Sequence, residues 1–499
     1  MSRSFSVAMT AGTHQALGVV LVRDDRQEDV CLALYRPSTG EARTTALLTS
    51  VVPPVDSDRA IHGNATVFGE YMLRGAERAR DDGCGLMFAH SHPGASDWQP
   101  MSRPDREAEA SYANLIREIT GLPLVGMTLA TRDEAWSARR WDIGAGTGVD
   151  CTHAENVRVI GEQLRVSWNE QMRPSPFAST RQERTVSAWG DKCQSDLVRR
   201  RILVVGAGSV GMDVIVRLAA SGIQRLTVMD FDVVEEKNLD RLIGAAQRDV
   251  RLRRPKIHVA NRLALASSTA ERRQFEFSSR SICEPEGLSL ALDHDLIFSC
   301  VDRPWPRAVL NGLAYSDLIP VIDGGIAIDT NSRGRMLNAT WRSHVVRPGR
   351  PCLACNRQLD LGLVTPDRQG DLDDPSYIEG AGIAPEDGGQ NVSALSASVS
   401  ASLLAQYVSF SVAPGGIGDP GPIQYSLSSH FLDYRDDAIR PHCPVEPSEA
   451  VGDLRPDLSG EHPIAEEMRQ MAAAVDRRTR VLRWADNRLQ ALTNWIDRR

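Results

Sequence analysis

Between about residues 14 and 150 the apolar positions come in short or alternating runs, LGVVLV, VCLALY, ALLTSVV, GLMFAH and LVGMTLA. Runs of that length suit strands. One stretch near 68–80, EYMLRGAERARDD, instead repeats its apolar residues at helical spacing, so 1–150 reads as an α/β module. From 151 to 183 the pattern weakens and ends in QMRPSPFASTRQE, whose prolines and small polar residues predict a connector. RRRILVVGAGSVGMDVIVRLAASGIQRLTVMDFD then reads strand, glycine turn, helix, strand, and the later runs LIFSCVD and IPVIDGG extend a doubly wound sheet over 184–445. The stretch 356–392, rich in Asp, Gly and Pro, predicts a long surface loop. Over 446–499 the charged amphipathic pattern ending in LQALTNWIDRR predicts a helical tail.

Composition narrows the class without changing this picture. The net charge of -8 is spread over both signs with no long basic run, which argues against nucleic acid as a partner. No charge-free apolar run reaches bilayer length and the start lacks signal-peptide order, so the expectation is a cytoplasmic protein without a membrane partner. Nine cysteines, mostly lying singly, do not suggest a disulfide framework. The close pair Cys352 and Cys355 invites a metal reading instead.

Candidate chemistry gathers in two places. In FAHSHPGASDWQPMSRPD, His90 and His92 follow an apolar run, so they sit on one face at a strand end and can share an ion. Two imidazoles with Asp105 as a third ligand would leave a position open for water, a catalytic rather than a structural zinc arrangement. A hydrolase also needs a carboxylate to move the proton, and Glu28, just before DVCLALY, is the candidate, with Glu70 and Glu77 also upstream. A lone His-x-His at a strand end is equally a pair of ordinary polar residues. The combination Glu28, His90-Ser91-His92-Pro93 and Ser102-Arg103-Pro104-Asp105 resembles the JAMM (JAB, MPN) metallopeptidase family. That resemblance implies an MPN-type domain in which His90, His92 and Asp105 bind zinc, Glu28 is the acid/base and Ser102 stabilises the oxyanion. The His92 to Ser102 spacing is two residues longer than the family's.

The second place is the glycine turn GAGSVG, with Gly206, Gly208 and Gly211 between strand and helix, where backbone N–H groups can receive phosphate. Asp230 ends the next strand and can hold a ribose; so far NAD enzymes fit equally well. The residues downstream favour ATP. Asp232, Asn238, Arg241 and Lys256 cluster there, and cations such as Arg241 and Lys256 suit a triphosphate and a leaving pyrophosphate. Asp302, after a later strand, can hold Mg²⁺. This order resembles the ThiF/MoeB/ubiquitin-activating adenylyltransferases over about 184–445, with Arg184, Gly190 and Gln194 matching the family's opening. The resemblance implies a Rossmann-like domain, a homodimer and Arg184 as an arginine finger reaching the partner's site. Arg253 and Arg254, beside Lys256, also offer cations.

Many ThiF-like proteins hold a structural zinc with two Cys pairs. Here the resemblance gives Cys352, Cys355 and Cys443, with Glu446 where the fourth would fall and His442 beside it. Zinc binding, a nucleophile at Cys352 or Cys355, and inert thiols all remain open; Cys300 reads as a strand-core residue. Together the two resemblances imply a bifunctional enzyme of a bacterial ubiquitin-like system. One domain would trim or deconjugate a Gly-Gly-ending protein, the other would adenylate it, and a ubiquitin-conjugating-type partner would receive the product. The alternative is a sulfur-carrier adenylyltransferase of thiamin, molybdopterin or cysteine synthesis, with the first domain as carrier peptidase or docking module.

Overall fold

The computed structural model describes residues 3–144, 148–176, 180–373, 390–435, 438–474 and 488. Two sheets organise them. In the first half, β1 (Ser4–Thr10), β2 (Val30–Thr39), β3 (Arg43–Val52), β4 (Arg59–His62), β5 (Asn64–Val67), β6 (Gly85–His92), β7 (Leu124–Ala130), β8 (Ala135–Ile143), β9 (Val149–His153), β10 (Asn156–Ile160) and β11 (Leu164–Trp168) alternate with α1 (Ala11–Leu21), α2 (Gly69–Asp81) and α3 (Arg103–Thr120). Nine of these strands form one mixed sheet in the order β11-β10-β1-β3-β2-β6-β7-β8-β9, and β4-β5 is a separate hairpin. The helix expected near 68–80 is α2, which buries Tyr71, Met72, Gly75, Ala76 and Ala79 on one face. Gly75 lets the helix approach the sheet closely, since a Cβ there would stand 2.6 Å from Leu32 Cδ1 and push that side chain aside.

Two expectations fail in this half. LGVVLV, which has the look of a buried strand, lies in α1 as far as Leu21: Thr10 caps that helix by accepting from the Thr13 N–H, and only His14, Leu17 and Leu21 turn inward. The connector expected over 151–183 is strand as far as Trp168. Val7 to Thr10 of β1 pair in parallel with Val157 to Ile160 of β10, a long-range ladder that local pattern does not reveal. Beyond it, Arg173 is buried and donates to the Arg199 carbonyl, so this stretch is fastened to the second half.

The second half runs α4 (Glu183–Arg199), β12 (Arg201–Val205), α5 (Ser209–Ala220), β13 (Arg225–Met229), α6 (Gln247–Arg251), α7 (Lys256–Ser267), β14 (Gln274–Ser278), α8 (Pro285–Ala291), β15 (Leu296–Ser299), α9 (Pro304–Ser316), β16 (Val321–Thr330), β17 (Met336–Val346), α10 (Val364–Gln369), α11 (Ser393–Val412), β18 (Ile423–Ser426) and β19 (Phe431–Tyr434). Its sheet has the order β14-β13-β12-β15-β16-β17-β18-β19. The first five are parallel, as the sequence predicts, and the rest are antiparallel. α10 interrupts the loop expected over 356–392, of which 374–389 lies outside the described residues. α11 is long and apolar enough to cross a membrane by length and composition, contrary to the expectation that no such run exists. Here its Val399, Leu403, Tyr407 and Phe410 are buried in the core with residues of α5, β12 and β16. The expected tail begins with two short turns, Glu446–Ser448 and Gly452–Leu454, and becomes helical only over 463–474; 475–487 and 489–499 lie outside the described residues.

The halves meet in a charged seam. Arg43 of β3 donates to the Asp295 carboxylate at 2.5 Å and to the His294 carbonyl, Arg158 of β10 stands 3.6 Å from Asp295, and all three charged side chains are fully buried. Asp293 accepts from the Ala42 and Arg43 N–H groups, both at 2.8 Å. Around the seam, Ala8, Leu47, Ile160 and Leu164 join one core with Ile202, Val204 and Leu403. Arg43→Met would remove the closest charge on buried Asp295 and leave it Arg158, at 3.6 Å, and the Arg201 N–H, at 2.9 Å; denaturant melts are expected to show a loss of about 3 kcal/mol. His294 adds a pH dependence: burial, with Arg43 and Arg201, holds its imidazole down to about 3 against an ordinary 6.5. The unfolded chain therefore binds the proton first, and stability is expected to fall as pH drops from 6.5 towards 3. His294→Gln should flatten that slope in urea midpoints measured from pH 7.5 to 5.

Candidate functional site

The first cluster is built by strand register and one helix cap. β6 pairs with β2 so that Val30 faces His90, and the next step is held by Asp29 N donating to Ser91 Oγ at 3.1 Å; Glu28, one residue further on, lies within the electrostatic reach of His92. Period two puts His90 and His92 on one face. α3 begins with a capping box: Ser102 Oγ accepts from Asp105 N at 3.2 Å, and Asp105 Oδ2 accepts from Ser102 N at 3.0 Å. The same Oδ2 lies 3.7 Å from His90 Nε2 and 3.8 Å from His92 Nε2, while the two nitrogens are 3.2 Å apart. Bonds of about 2.0–2.1 Å to one tetrahedral zinc would space their donors by about 3.3 Å, so the donor set fits that ion.

Electrostatics suit the same reading. Burial, with Arg139 nearby, pushes the His90 imidazole down to about 3, leaving it neutral as a ligand must be. Burial raises the Asp105 carboxyl, but His90, Ser102 and His92 more than reverse this and it ends below its usual range. Burial lifts Glu28 above its usual range, with His92 opposing and Asp105 adding. Glu28 thus shares the field of the cluster, whereas Glu70 and Glu77 lie exposed on α2. Four supporting residues escape sequence reasoning. Gln99 Oε1 stands 3.4 Å from His92 Nδ1, inside the long His92 to Ser102 loop; that extra length was the available signal. Thr128 Oγ1, 3.4 Å from His90 Nε2, receives a bond from Arg139 at 2.7 Å, and Arg139 is paired with buried Glu109. These three are brought together by β7 and β8 pairing and by α3, and no local pattern marks them.

The second cluster lies at the carboxyl ends of β12, β13 and β15, where the chain order of the sheet reverses between β12 and β15. Gly206 has φ +93°, and a Cβ on it would lie 2.5 Å from the Cys300 carbonyl; one on Gly211 would lie 1.9 Å from the Gly206 carbonyl. Gly208 instead faces open space, and no side chain caps the N-terminus of α5. That is a cradle for an anion at a helix end. Asp230 is buried and ties this turn to β13: it accepts from Ala207 N at 2.7 Å and Asp232 N at 2.8 Å, and burial lifts its carboxyl to about 6. Lys256 opens α7, with its backbone N–H on the Asp232 carbonyl and its Nζ 2.7 Å from Asp232 Oδ2. Burial lowers its pKa, and Asp230, Asp232 and Asp302 together raise it further, so it stays charged. Asp302 is exposed just past β15.

Not every expected residue joins this group. Asn238 accepts from Glu235 N at 3.0 Å and Arg241 donates to the Lys237 carbonyl at 2.6 Å, so both organise their own turn. Arg254 is paired with Asp249 at 2.9 Å, leaving Lys256 as the cation beside Asp232. Arg184 is exposed in the first turn of α4, Gly190 breaks that helix at φ +85°, and Gln194 is buried on the Ser221 carbonyl. Sequence reasoning missed Ser209, which opens α5 and receives bonds from Asn391 and Ser396, both at 2.9 Å; α11 is thereby anchored beside the glycine turn.

Cys352, Cys355 and Cys443 do converge. Their sulfurs lie within 4.8 Å of one another, with Cys352 Sγ and Cys443 Sγ 3.7 Å apart. Zinc–sulfur bonds of about 2.3 Å predict about 3.8 Å, so three thiolates fit a zinc, although among the described residues neither His442 nor Glu446 comes as close. Burial pushes the Cys352 thiol up to about 12. Cys300, past the end of β15, packs its Cβ against Gly211.

A glycine turn opening a helix at the switch point of a doubly wound sheet is the hallmark of a nucleotide-binding domain. Residues 180–409 match the ThiF family, and this part of the chain is a ThiF-family domain. The chain is similar to an adenylyltransferase and sulfurtransferase, UBA4, of Yarrowia lipolytica, 33% identical over 171 residues that make up 34% of this chain and 39% of the relative. It is similar also to the molybdopterin-synthase adenylyltransferase of Salmonella typhimurium, 30% identical over 166 residues, 33% of this chain and 62% of that protein. It thus spans less than two thirds of either. Among solved structures, E. coli MccB with MccA is 19% identical, covering 54% of this chain and 75% of that one with a TM-score of 0.42.

Both ion sites can be tested by metal analysis of the purified chain. His92→Ala or Asp105→Asn is expected to remove one zinc equivalent, and Cys352→Ser a second; unchanged zinc in either class would refute that site.

Proposed function

We propose that the chain is an adenylyltransferase that activates the C-terminal carboxylate of a sulfur-carrier or ubiquitin-like protein ending in Gly-Gly. The observation that carries this reading is the array of open glycine turn, Asp232–Lys256 pair and Asp302 at three adjacent strand ends, within a ThiF-family domain. In the reaction a carrier carboxylate oxygen bonds to the α-phosphorus of ATP, the bond from that phosphorus to the bridging oxygen breaks, and pyrophosphate leaves. The α5 N-terminus and Lys256 offset the charge of the phosphates. Asp302 is the residue to hold Mg²⁺, which neutralises phosphate oxygens when bound. Arg184, exposed on α4, is available to reach a second copy's site. The names of two relatives, one a sulfurtransferase and one serving molybdopterin synthase, favour a sulfur carrier over a ubiquitin-like modifier.

A second activity is favoured by the His90, His92, Asp105 and Glu28 cluster: zinc-dependent removal of residues beyond the carrier's Gly-Gly, or cleavage of a conjugate, as in the JAMM family. Bound zinc would supply an acidified water. Glu28, its pKa raised, would take a proton and return it to the leaving amine. Ser102 spends a lone pair on Asp105 N–H, but its own O–H stays available to an oxyanion.

Intact mass of a sulfur-carrier protein extended beyond its Gly-Gly, incubated with the chain and ATP–Mg²⁺, separates the two activities. Loss of the extension followed by an AMP-sized gain is expected. Lys256→Ala should cut adenylate formation by about 10²-fold or more while sparing trimming, whereas His92→Ala should abolish trimming, and with it adenylation of the extended carrier, while sparing adenylation of a carrier that already ends in Gly-Gly. A carrier that already ends in Gly-Gly and still gains no AMP would sink the adenylyltransferase reading.

A further inference from the structure

The segment after the last short turns does not hang free. It runs across the carboxyl ends of the second sheet and touches the loops that carry the nucleotide site. Trp305 Nε1 donates to the Leu458 carbonyl at 2.8 Å, Arg368 donates to the Ser459 carbonyl at 2.9 Å, and Gly460 N donates to the Cys283 carbonyl at 2.8 Å. Ala465 is fully buried. Arg469 is paired with Glu284 at 2.6 Å, and Arg253 lies 3.3 Å from Met471 Sδ. At the centre is His462, whose ring stacks on Trp305 (centroids 5.2 Å apart, planes 16°) and meets Phe231 at 5.0 Å.

Those two partners fix the position of the ring. Phe231 stands between Asp230 and Asp232 at the end of β13, and Trp305 follows Asp302 past β15. β12 lies between β13 and β15, so a ring that touches both lies across the end of β12, where Gly206 begins the glycine turn. The ring is also held in orientation: its Nδ1 accepts from Ala465 N at 3.2 Å as the helix over 463–474 begins, which makes the neutral imidazole a donor at Nε2. With the ring stacked on Trp305 and met by Phe231, it is the Nε2 N–H edge, which has no partner among the described residues, that is suited to a purine acceptor at the mouth of the cleft.

We propose that the 458–471 segment forms one wall of the nucleotide cleft and that His462 is its base-contacting residue. This rests on the reading of the cleft as an ATP site. The phosphates belong at the glycine turn and the ribose at the end of β13, so the base falls beyond those strand ends, on the side that Phe231 and His462 share. The wall would then contribute to ATP affinity without touching the reacting phosphate.

Calorimetric titration of the full chain with ATP–Mg²⁺ tests this. His462→Ala is expected to weaken ATP binding about tenfold, and His462→Phe, which keeps the flat ring against Trp305 but removes the Nε2 donor, should weaken it nearly as much. In turnover the loss should appear in the KM for ATP with kcat little changed, a split that general loosening of the fold would not give. Arg469→Ala, which frees the segment from Glu284 without entering the cleft, should weaken ATP binding in the same direction, and serves if the histidine variant does not fold. ATP affinity in His462→Ala equal to or tighter than that of the parent would overturn the inference, the tighter case marking the ring as a plug. A parent chain that binds no ATP would instead overturn the adenylyltransferase reading, and this wall with it.

Discussion

The buried contact of Arg43 and Arg158 with Asp295 is the constraint on which the rest of the chain depends. A carboxylate taken out of water costs several kcal/mol unless it is paired, so Asp295 holds β3 and β10 of the first sheet against the start of β15 in the second. β15 leads to Asp302, and β3 is the direct neighbour of β2, whose approach carries Glu28. Each candidate site is therefore one or two strands from the seam. The apolar residues around it belong to a single core, and the halves are packed as one body.

Each site places its chemistry where backbone geometry has already done part of the work. In the first, a helix cap and a strand end meet: the bonds that start α3 also fix the Asp105 carboxylate before His90 and His92. In the second, close approach of Gly206 to Cys300 and of Gly211 to Gly206 draws α5 tight against the sheet, and Gly208 is left facing open space. Asp230 is spent on holding that turn, a structural task beside the ribose contact that sequence alone suggests. On the proposed reading, hydrolysis of an amide beyond the Gly-Gly and adenylation of the carboxylate it exposes would be consecutive steps on one carrier.

Much of the site chemistry was legible in the sequence because it sits in short stretches. His90 and His92 are two residues apart and the glycine turn is one run, so local rules for strands and turns were enough there, while Ser102 was singled out only through family resemblance. The convergence of Cys352, Cys355 and Cys443 was legible only through family resemblance, since a long stretch of chain separates the pair from the third. The connector expected over 151–183 failed for the opposite reason: β10 and β11 are short strands whose partners, β1 and each other, give them stability that composition does not show. LGVVLV failed because a short apolar run has no period, and only the Thr10 cap and the packing of Leu17 and Leu21 decide for helix.

By itself the sequence determined which residue types were available and some of the local elements that hold them: the strand ending at His92 and the glycine turn at Gly206 between a strand and a helix. Tertiary structure alone decided which of them meet. It put Glu28 rather than Glu70 or Glu77 within the field of His92, paired Lys256 rather than Arg254 with Asp232, brought Thr128 to His90, and laid His462 between Phe231 and Trp305. Those choices depend on strand register and on side chains far apart in the chain, and register follows from which faces are buried together, a property of the whole core rather than of any segment.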